Sequence, residues 1–287
     1  MADKRNEKQS WKSHLWGMTK VGVLTYVFVV IFLMLFETTL VYPGAFTSND
    51  VGPSPRVGSD VMTVDYAATD GVPLQGRLLE RANAKRTVLF FHGNGEKAIW
   101  LDGWAAQLSE LFDANVMLAE YRGFNEDDAT PNEAGLVADA KGARDFLCDR
   151  YNIEPDDLIL YGRSLGGGCV AAVAEDGGAK AIVLERTFDR LVNVAAGRYW
   201  FVPVKLVMRN RFDSVTRLSD YTGRVVQVHG TTDRLIPIEH AQRLFDSIPS
   251  DDKHWIPVEG LGHNDVLPQD LMSQLVEAVT RNREEPE

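Results

Sequence analysis

The chain has 287 residues, 45% hydrophobic and 25% charged, enough to bury one large core or one core with appendages. Its formal charge of −11 and its lack of a long basic patch argue against a nucleic-acid partner. The two cysteines, Cys148 and Cys169, make no disulfide framework, no Cys/His cluster has zinc spacing, and no metal or other cofactor is expected.

The N-terminus differs in kind from the rest. Residues 21–36, "VGVLTYVFVVIFLMLF", carry no charge. With "LWGMT" before Lys20 and "ETTLVY" after, the stretch reaches the roughly 20 residues that a spanning helix needs. Lys4, Arg5, Lys8, Lys12 and Lys20 lie before it, and the next basic residue is Arg56. The positive-inside rule makes residues 1–20 a cytoplasmic tail and residues 21–42 a signal-anchor helix, and it sends the body to the non-cytoplasmic side of the cell membrane. The competing reading is a cleaved export signal, for which Gly44-Ala45 is a weak cleavage candidate. Residues 43–60, rich in Gly, Pro and Ser, read as a linker to a folded body over residues 61–282.

The body follows in a regular order. "VMTVDYAATDGVPLQGRLLER" alternates apolar and polar residues around Thr69-Asp70-Gly71, which predicts an antiparallel hairpin. Next come a strand over "TVLFFHGNG", a helix around "AIWLDGWAAQLSELF", a strand over "NVMLAEYRG", and a helix over residues 131–151 with Pro131 in its first turn. "LILYGRSLG" and "AKAIVLERTF" are strands with a helix between them, and residues 189–223 are irregular. "RVVQVHGTTD", "IEHAQRLFDSI", "KHWIPVEGLGH" and "DLMSQLVEAVT" close the chain as strand, helix, strand and helix. This alternation predicts an α/β protein with a mostly parallel sheet and helices on both faces. Sites in such sheets gather at the carboxyl ends of the strands, where residues 92–96, residues 121–124, Ser164, Asp233 and His263 fall.

In "LILYGRSLGGGC" an apolar strand runs into a helix with no room for a loop. The chain must reverse at Ser164, and Gly162 and Gly166 stand where a Cβ would clash with the crossing backbone. This Gly-x-Ser-x-Gly turn lifts a hydroxyl above the sheet at a helix N-terminus. A serine hydroxyl needs a base in contact, and the base needs an orienting acid. His263, on the glycine-rich loop "EGLGHND", is the expected base. His92 and His229 end buried strands beside a glycine and read as structural pins. His240 and His254 read as surface or edge residues, and His14 lies before the apolar segment. Asp233, on the turn "HGTTDRLIP", is the expected acid; Glu185 competes for the role, and Asp265 is too close to His263. Negative charge developing on a substrate oxygen requires N–H donors, expected from the backbones of Leu165 and Asn94.

The motifs "FFHGNG", "AEYRGF", "GRSLGG", "HGTTDRLIP" and "GLGH", in this order behind a membrane segment, resemble the α/β-hydrolase superfamily. They are most similar to its small membrane-anchored serine hydrolases, the abhydrolase-domain proteins and their bacterial relatives. The likeness covers residues 61–281. It implies the α/β-hydrolase fold, a Ser164, Asp233 and His263 triad, an oxyanion site at Asn94 and Leu165, and supporting roles for Tyr121 and Arg122. The family includes protein thioesterases and lipases. The resemblance therefore implies cleavage of an acyl-ester, thioester or lipid-like substrate through an acyl-enzyme, without naming that substrate.

Two other classes compete. "FFHGNGEKA" also fits a Gly-x-Gly-x-x-Ala dinucleotide fingerprint through Gly93, Gly95 and Ala98, with Glu120 ending the next strand and Arg122 near a 2′-phosphate. That reading leaves Ser164, Asp233 and His263 without a purpose. A catalytically silent hydrolase fold is the third class. Finally, residues 189–223 interrupt the alternation with "RYWFVPVKLVMRNRF", which reads either as a small cap forming an apolar acyl wall or as a cover over core.

Overall fold

The structure, a computed structural model, describes residues 3–52, 60–125 and 127–281, with side chains from residue 16 onward. Helix α1 (Asp3–Leu35) is followed after one residue by α2 (Glu37–Val41). The body then runs β1 (Val61–Ala67), β2 (Pro73–Leu79), β3 (Arg86–Phe91), α3 (Asp102–Phe112), β4 (Ala114–Ala119), α4 (Glu133–Tyr151) and β5 (Leu158–Arg163). It continues with α5 (Gly166–Glu175), β6 (Ala181–Glu185), α6 (Leu191–Arg198), α7 (Val204–Val207), α8 (Ser214–Arg217) and β7 (Arg224–Gly230). Helix α9 (Ile238–Ser247), β8 (Lys253–Val258) and α10 (Gln269–Thr280) complete it.

The described residues form an eight-stranded sheet in the order β1-β2-β4-β3-β5-β6-β7-β8. β1 and β2 pair antiparallel, as do β2 and β4, and every later pairing is parallel. Side chains alternate across the strands. In β3, Leu89 and Phe91 enter a core under α4, α5 and α9, while Val88 and Phe90 enter another under α3 and α10. Both faces are covered, which is why the central strands read as near-continuous apolar runs. Local chemistry sets the helix ends. Asn132 caps α4 by accepting from the Gly135 N–H, and Asn152 closes it in the left-handed conformation.

The apolar stretch Trp16–Leu35 lies within α1, is long and apolar enough to cross a membrane, and is mostly exposed, with Val30 and Leu33 partly covered by residues 192–208. The sequence reading continues this helix to residue 42, but α1 ends at Leu35, Phe36 leaves helical geometry with φ = −95° and ψ = 9°, and Glu37 is buried. The Glu37 carboxylate is buried and accepts from the backbone N–H groups of Arg209 and Asn210 and from Asn210 Nδ2, at 2.9, 2.8 and 2.7 Å. The first part of the expected linker is docked rather than free. The Gly44 N–H donates to the Asn94 carbonyl at 2.9 Å, and Trp100 Nε1 donates to the Asn49 carbonyl at 2.7 Å. The rest of that linker, residues 53–59, lies outside the described residues, as does residue 282 at the expected end of the body.

Candidate active site

Between β5 and α5 the chain turns over two residues. Ser164 adopts φ = +52°, a left-handed conformation that costs a non-glycine residue about 1–2 kcal/mol. The turn is held on both sides: the Ser164 N–H donates to the Glu185 carbonyl at 2.9 Å, and Thr187 Oγ1 donates to the Ser164 carbonyl at 2.8 Å. A Cβ on Gly162 would lie 2.5 Å from the Gly166 carbonyl oxygen, and one on Gly166 would lie 2.1 Å from that of Phe91. Both distances are shorter than backbone tolerates, so the two glycines let the helix start cross the strand ends.

Ser164, His263 and Asp233 come together from three strand ends. His263 follows β8 on the loop containing Gly260, whose φ is +73°. Its Nε2 lies 3.0 Å from Ser164 Oγ and its Nδ1 lies 2.6 Å from Asp233 Oδ2. With Nδ1 protonated, the ring donates to Asp233 and can accept the serine proton at Nε2. Asp233 follows β7, and its Oδ1 accepts from the backbone N–H groups of Leu235 and Ile236 at 2.9 and 2.8 Å. Burial alone would raise its carboxyl. The hydrogen bond and charge of His263, and then the Ile236 amide, outweigh that and hold it below the usual carboxylate range.

The remaining candidates lie elsewhere or hold this frame together. Glu185 is fully buried and accepts from Tyr161 Oη and Arg163 Nε and from the Arg186 guanidinium, with no bond to His263. Asp265 accepts from the Gly262 N–H within its own loop. His92 is pinned between Glu120 and the Gly93 carbonyl. His229 donates from Nε2 to the Ile236 carbonyl, and burial lowers its basicity. His240 is not an idle surface residue: with Arg243 it holds Asp189 at the start of the cap. His254 lies 3.3 Å from Asp252 on β8, and the side chain of His14 lies outside the described residues.

The turn after β3 brings Asn94 to the same cavity as Ser164 and Leu165. The backbone N–H groups of Asn94 and Leu165 have no acceptor among the described residues. The Asn94 side chain is used differently, donating to the Val41 carbonyl at 2.8 Å. The dinucleotide reading loses its residues to other partners. Glu120 holds His92 and the Ala98 and Tyr121 N–H groups, while Arg122 pairs with Asp139 and Asp70. Tyr121 Oη donates to the His92 carbonyl, so "YRGF" supports the site rather than lining it.

A scan against protein-family models finds no match. Over 262 residues the chain is 28% identical to the uncharacterized protein YfhR of Escherichia coli O157:H7, covering 85% of this chain and 88% of that one. It is 27% identical over 243 residues to the uncharacterized protein Rv2307c of Mycobacterium tuberculosis, covering 83% and 84%. Among solved structures it is similar to the Pyrococcus furiosus esterase PF2001, with a TM-score of 0.64, 17% identity, and 80% and 96% of the two chains covered. The acetyl xylan esterase from Paenibacillus sp. R4 matches with a TM-score of 0.60, 18% identity and 84% and 94% coverage. Thermogutta terrifontis esterase 2, solved phosphoramylated by tabun, matches with a TM-score of 0.59, 18% identity and 78% and 93% coverage. The chain has the α/β-hydrolase fold.

Within this α/β-hydrolase fold two residues frame the site without any motif to announce them. Arg186 follows β6 with φ = +48°, and its guanidinium donates to the carbonyls of Gly262 and Asp265 at 3.3 and 2.6 Å, clamping the chain on both sides of His263. Glu96 accepts from the Gly93 N–H at 2.9 Å and from Arg163 at 2.9 Å, tying the Asn94 turn to β5. A lone arginine after a strand carries no periodicity or spacing signal, whereas Glu96 falls in the strand-end cluster of residues 92–96. A larger polar hollow of about 830 Å³ lies at the amino ends of the strands, around Arg86, Lys180 and Arg224, and contains none of the candidate site residues.

Proposed function

We propose that the chain is a serine hydrolase that cleaves an acyl ester or thioester, with Ser164 as nucleophile, His263 as base and Asp233 as the orienting acid. The observation that carries this reading is the continuous hydrogen-bonded line from Asp233 through His263 to Ser164 Oγ, at 2.6 and 3.0 Å. In the reaction, Oγ gives its proton to His263 Nε2 and attacks the carbonyl carbon. The oxyanion faces the N–H groups of Asn94 and Leu165, the second of them at the start of α5. His263 then passes the proton to the departing alkoxide or thiolate, leaving an acyl-enzyme. Water attacks that ester with His263 again as base, releasing the acid and restoring Ser164. Asp233, kept ionised, stabilises the imidazolium that forms in each half.

We further propose that Trp16–Leu35 anchors the hydrolase in the cell membrane as a single pass, with the residues before Trp16 cytoplasmic and the body on the other side. Its length, its apolar composition and the basic residues on one flank support this. The test is covalent labelling of the full chain in membranes by a fluorophosphonate. Labelling is expected on Ser164 and lost in Ser164→Ala, whose esterase activity falls about 10⁴–10⁶-fold. In intact cells a membrane-impermeant fluorophosphonate is expected to react as well as a permeant one. Full activity in Ser164→Ala refutes the nucleophile, and labelling only after lysis refutes the orientation.

A further inference from the structure

Ser164 opens into a cavity of about 320 Å³ whose far wall does not belong to the hydrolase core. On one side stand Leu33 and Met34, from the last turn of α1, with Leu40 and Val41 of α2. On the other stand Val194 of α6 and Val207 of α7. Val30 and Leu33 also pack against a small apolar cluster of the cap, around Val192, Val202 and Val204. The join is fixed by Glu37, which accepts four hydrogen bonds from residues some 170 positions later in the chain.

Leu33 and Met34 are among the last residues of the apolar stretch Trp16–Leu35. At 1.5 Å per residue, they sit within roughly 5 Å of the end of a span about 30 Å long, the depth where a bilayer passes from acyl chains to headgroups. The neighbouring cap surface suits the same depth. Trp200 and Leu206 are 82% and 86% exposed, beside a half-exposed Phe201. Among the described residues, the exposed cations Arg198 and Lys205 on the adjoining helices have no ionic partner. Arg198 also lines the cavity. An apolar groove with cations at its rim, level with the headgroups, matches an amphiphile whose acyl chain is apolar and whose head carries a phosphate.

We propose, building on the serine-hydrolase reading, that the end of the anchor helix is one wall of the substrate site. The groove between it and the cap opens into the adjoining leaflet and takes an acyl chain of a membrane phospholipid. The ester carbonyl then reaches Ser164 Oγ while the phosphate stays at the rim beside Arg198. Hydrolysis transfers the acyl group to Ser164, protonates the departing glycerol oxygen from His263, and releases the fatty acid to water in the second half-reaction.

The test uses the full chain reconstituted in vesicles of phosphatidylcholine with phosphatidylglycerol, reading fatty-acid release against hydrolysis of 4-nitrophenyl acetate in the same sample. Release from the phospholipid is expected. Leu33→Trp and, from the cap side, Val207→Trp are each expected to lower the ratio of phospholipid to acetate turnover at least tenfold by filling the groove. Phe28→Trp, at an exposed position of the same helix outside the cavity, is expected to leave that ratio unchanged. Arg198→Gln is expected to raise the phospholipid KM several-fold. Acetate hydrolysis without fatty-acid release, an unchanged ratio in both groove variants, or cleavage of an S-acylated peptide in place of the phospholipid overturns this inference and leaves the hydrolase reading standing. Absence of both acetate hydrolysis and fluorophosphonate labelling overturns the two together.

Discussion

At the carboxyl ends of the strands, Ser164, His263 and Asp233 are each fixed by hydrogen bonds or by a backbone crossing that admits no Cβ. The wall across the cavity, built by the end of α1 and the cap, is apolar and partly exposed, and its two parts are joined through one carboxylate, that of Glu37. On the proposed reading the first region carries the chemistry, where an error of an ångström costs orders of magnitude in rate. On the same reading the second sets the shape of the groove, where apolar contacts tolerate adjustment and would select a substrate by what they exclude. Substitutions in the two regions should therefore fail differently, the first in turnover and the second in stability and chain-length preference.

After the loss of Ser164 itself, the largest expected effect is at Asp233. Asn in its place keeps the size of the side chain but offers an amide N–H toward His263 Nδ1. The ring then places its proton on Nε2, where it can no longer accept from Ser164. Turnover of a soluble ester is expected to drop by about 10⁴-fold with the fold intact. Glu185→Gln should act the other way round, loosening the buried Tyr161–Arg163–Arg186 cluster while each folded molecule keeps most of its activity. Steady-state rates corrected for the folded fraction by active-site titration decide. A dead Glu185→Gln beside a nearly normal Asp233→Asn reassigns the acid.

Next comes Glu37, the link between the end of the anchor helix and the cap. In Glu37→Ala the N–H groups of Arg209 and Asn210 lose their acceptor in a buried place, which costs about 2–3 kcal/mol. Arg209→Ala is expected to cost less than about 1 kcal/mol, because its guanidinium is 68% exposed and its ion pair with Glu37 is screened. Denaturant midpoints in a fixed detergent compare the two. Equal losses would mean that the ion pair, rather than the backbone donors, holds the cap.

Legibility in the sequence follows the same division. The reversal at Ser164, the close approach of Gly162 and Gly166, and the strand-end positions of Asp233 and His263 are local consequences of short motifs, so the sequence carries them. The strand–helix alternation carries the α/β order for the same reason. Glu37 was hidden because it lies at the polar end of an apolar run, and its partners are distant in sequence. Pro43, Gly44 and Ser48 made residues 43–52 look like linker, since composition cannot register that Gly44 meets Asn94 or that Asn49 meets Trp100. The cap stayed ambiguous because its apolar residues split: Val202 and Val204 turn inward, while Trp200 and Leu206 turn out.

Arg186 offers a finer probe of the strand-end region, because it touches the chain around His263 without touching the reacting atoms. Its guanidinium spans the carbonyls of Gly262 and Asp265. Arg186→Gln removes the clamp and lets the imidazole wander from Ser164. Turnover is expected to fall about 10–30-fold, below the hundredfold that an ångström of misplacement costs, with KM for a short soluble ester nearly unchanged. Arg186→Lys should restore part of it. A loss carried by KM, with turnover unchanged, would assign Arg186 to binding rather than to positioning.

The smallest effect belongs to His92, beneath the Asn94 turn. Its buried ring faces the Glu120 carboxylate at Nε2 and the Gly93 carbonyl at Nδ1, both at 2.8 Å. A neutral imidazole has one N–H and can satisfy only one of these acceptors; the imidazolium satisfies both. Burial by itself would lower its basicity, but the Glu120 charge and hydrogen bond and the Gly93 carbonyl reverse this and raise it above the ordinary histidine value. With the folded value raised, the added stability is fully present below about pH 6.5, the unfolded value, and is lost as the pH climbs through the folded one. His92→Gln keeps one donor for Glu120 and removes the titration. The stability gap between wild type and this variant should be widest near pH 5.5 and narrow toward pH 9, by about 1.4 kcal/mol for each unit by which the value is raised. Urea midpoints across that range measure it. A gap that stays flat or widens with pH would mean that His92 is neutral in the folded protein, and that the Asn94 turn rests on Glu96 and Arg163 alone.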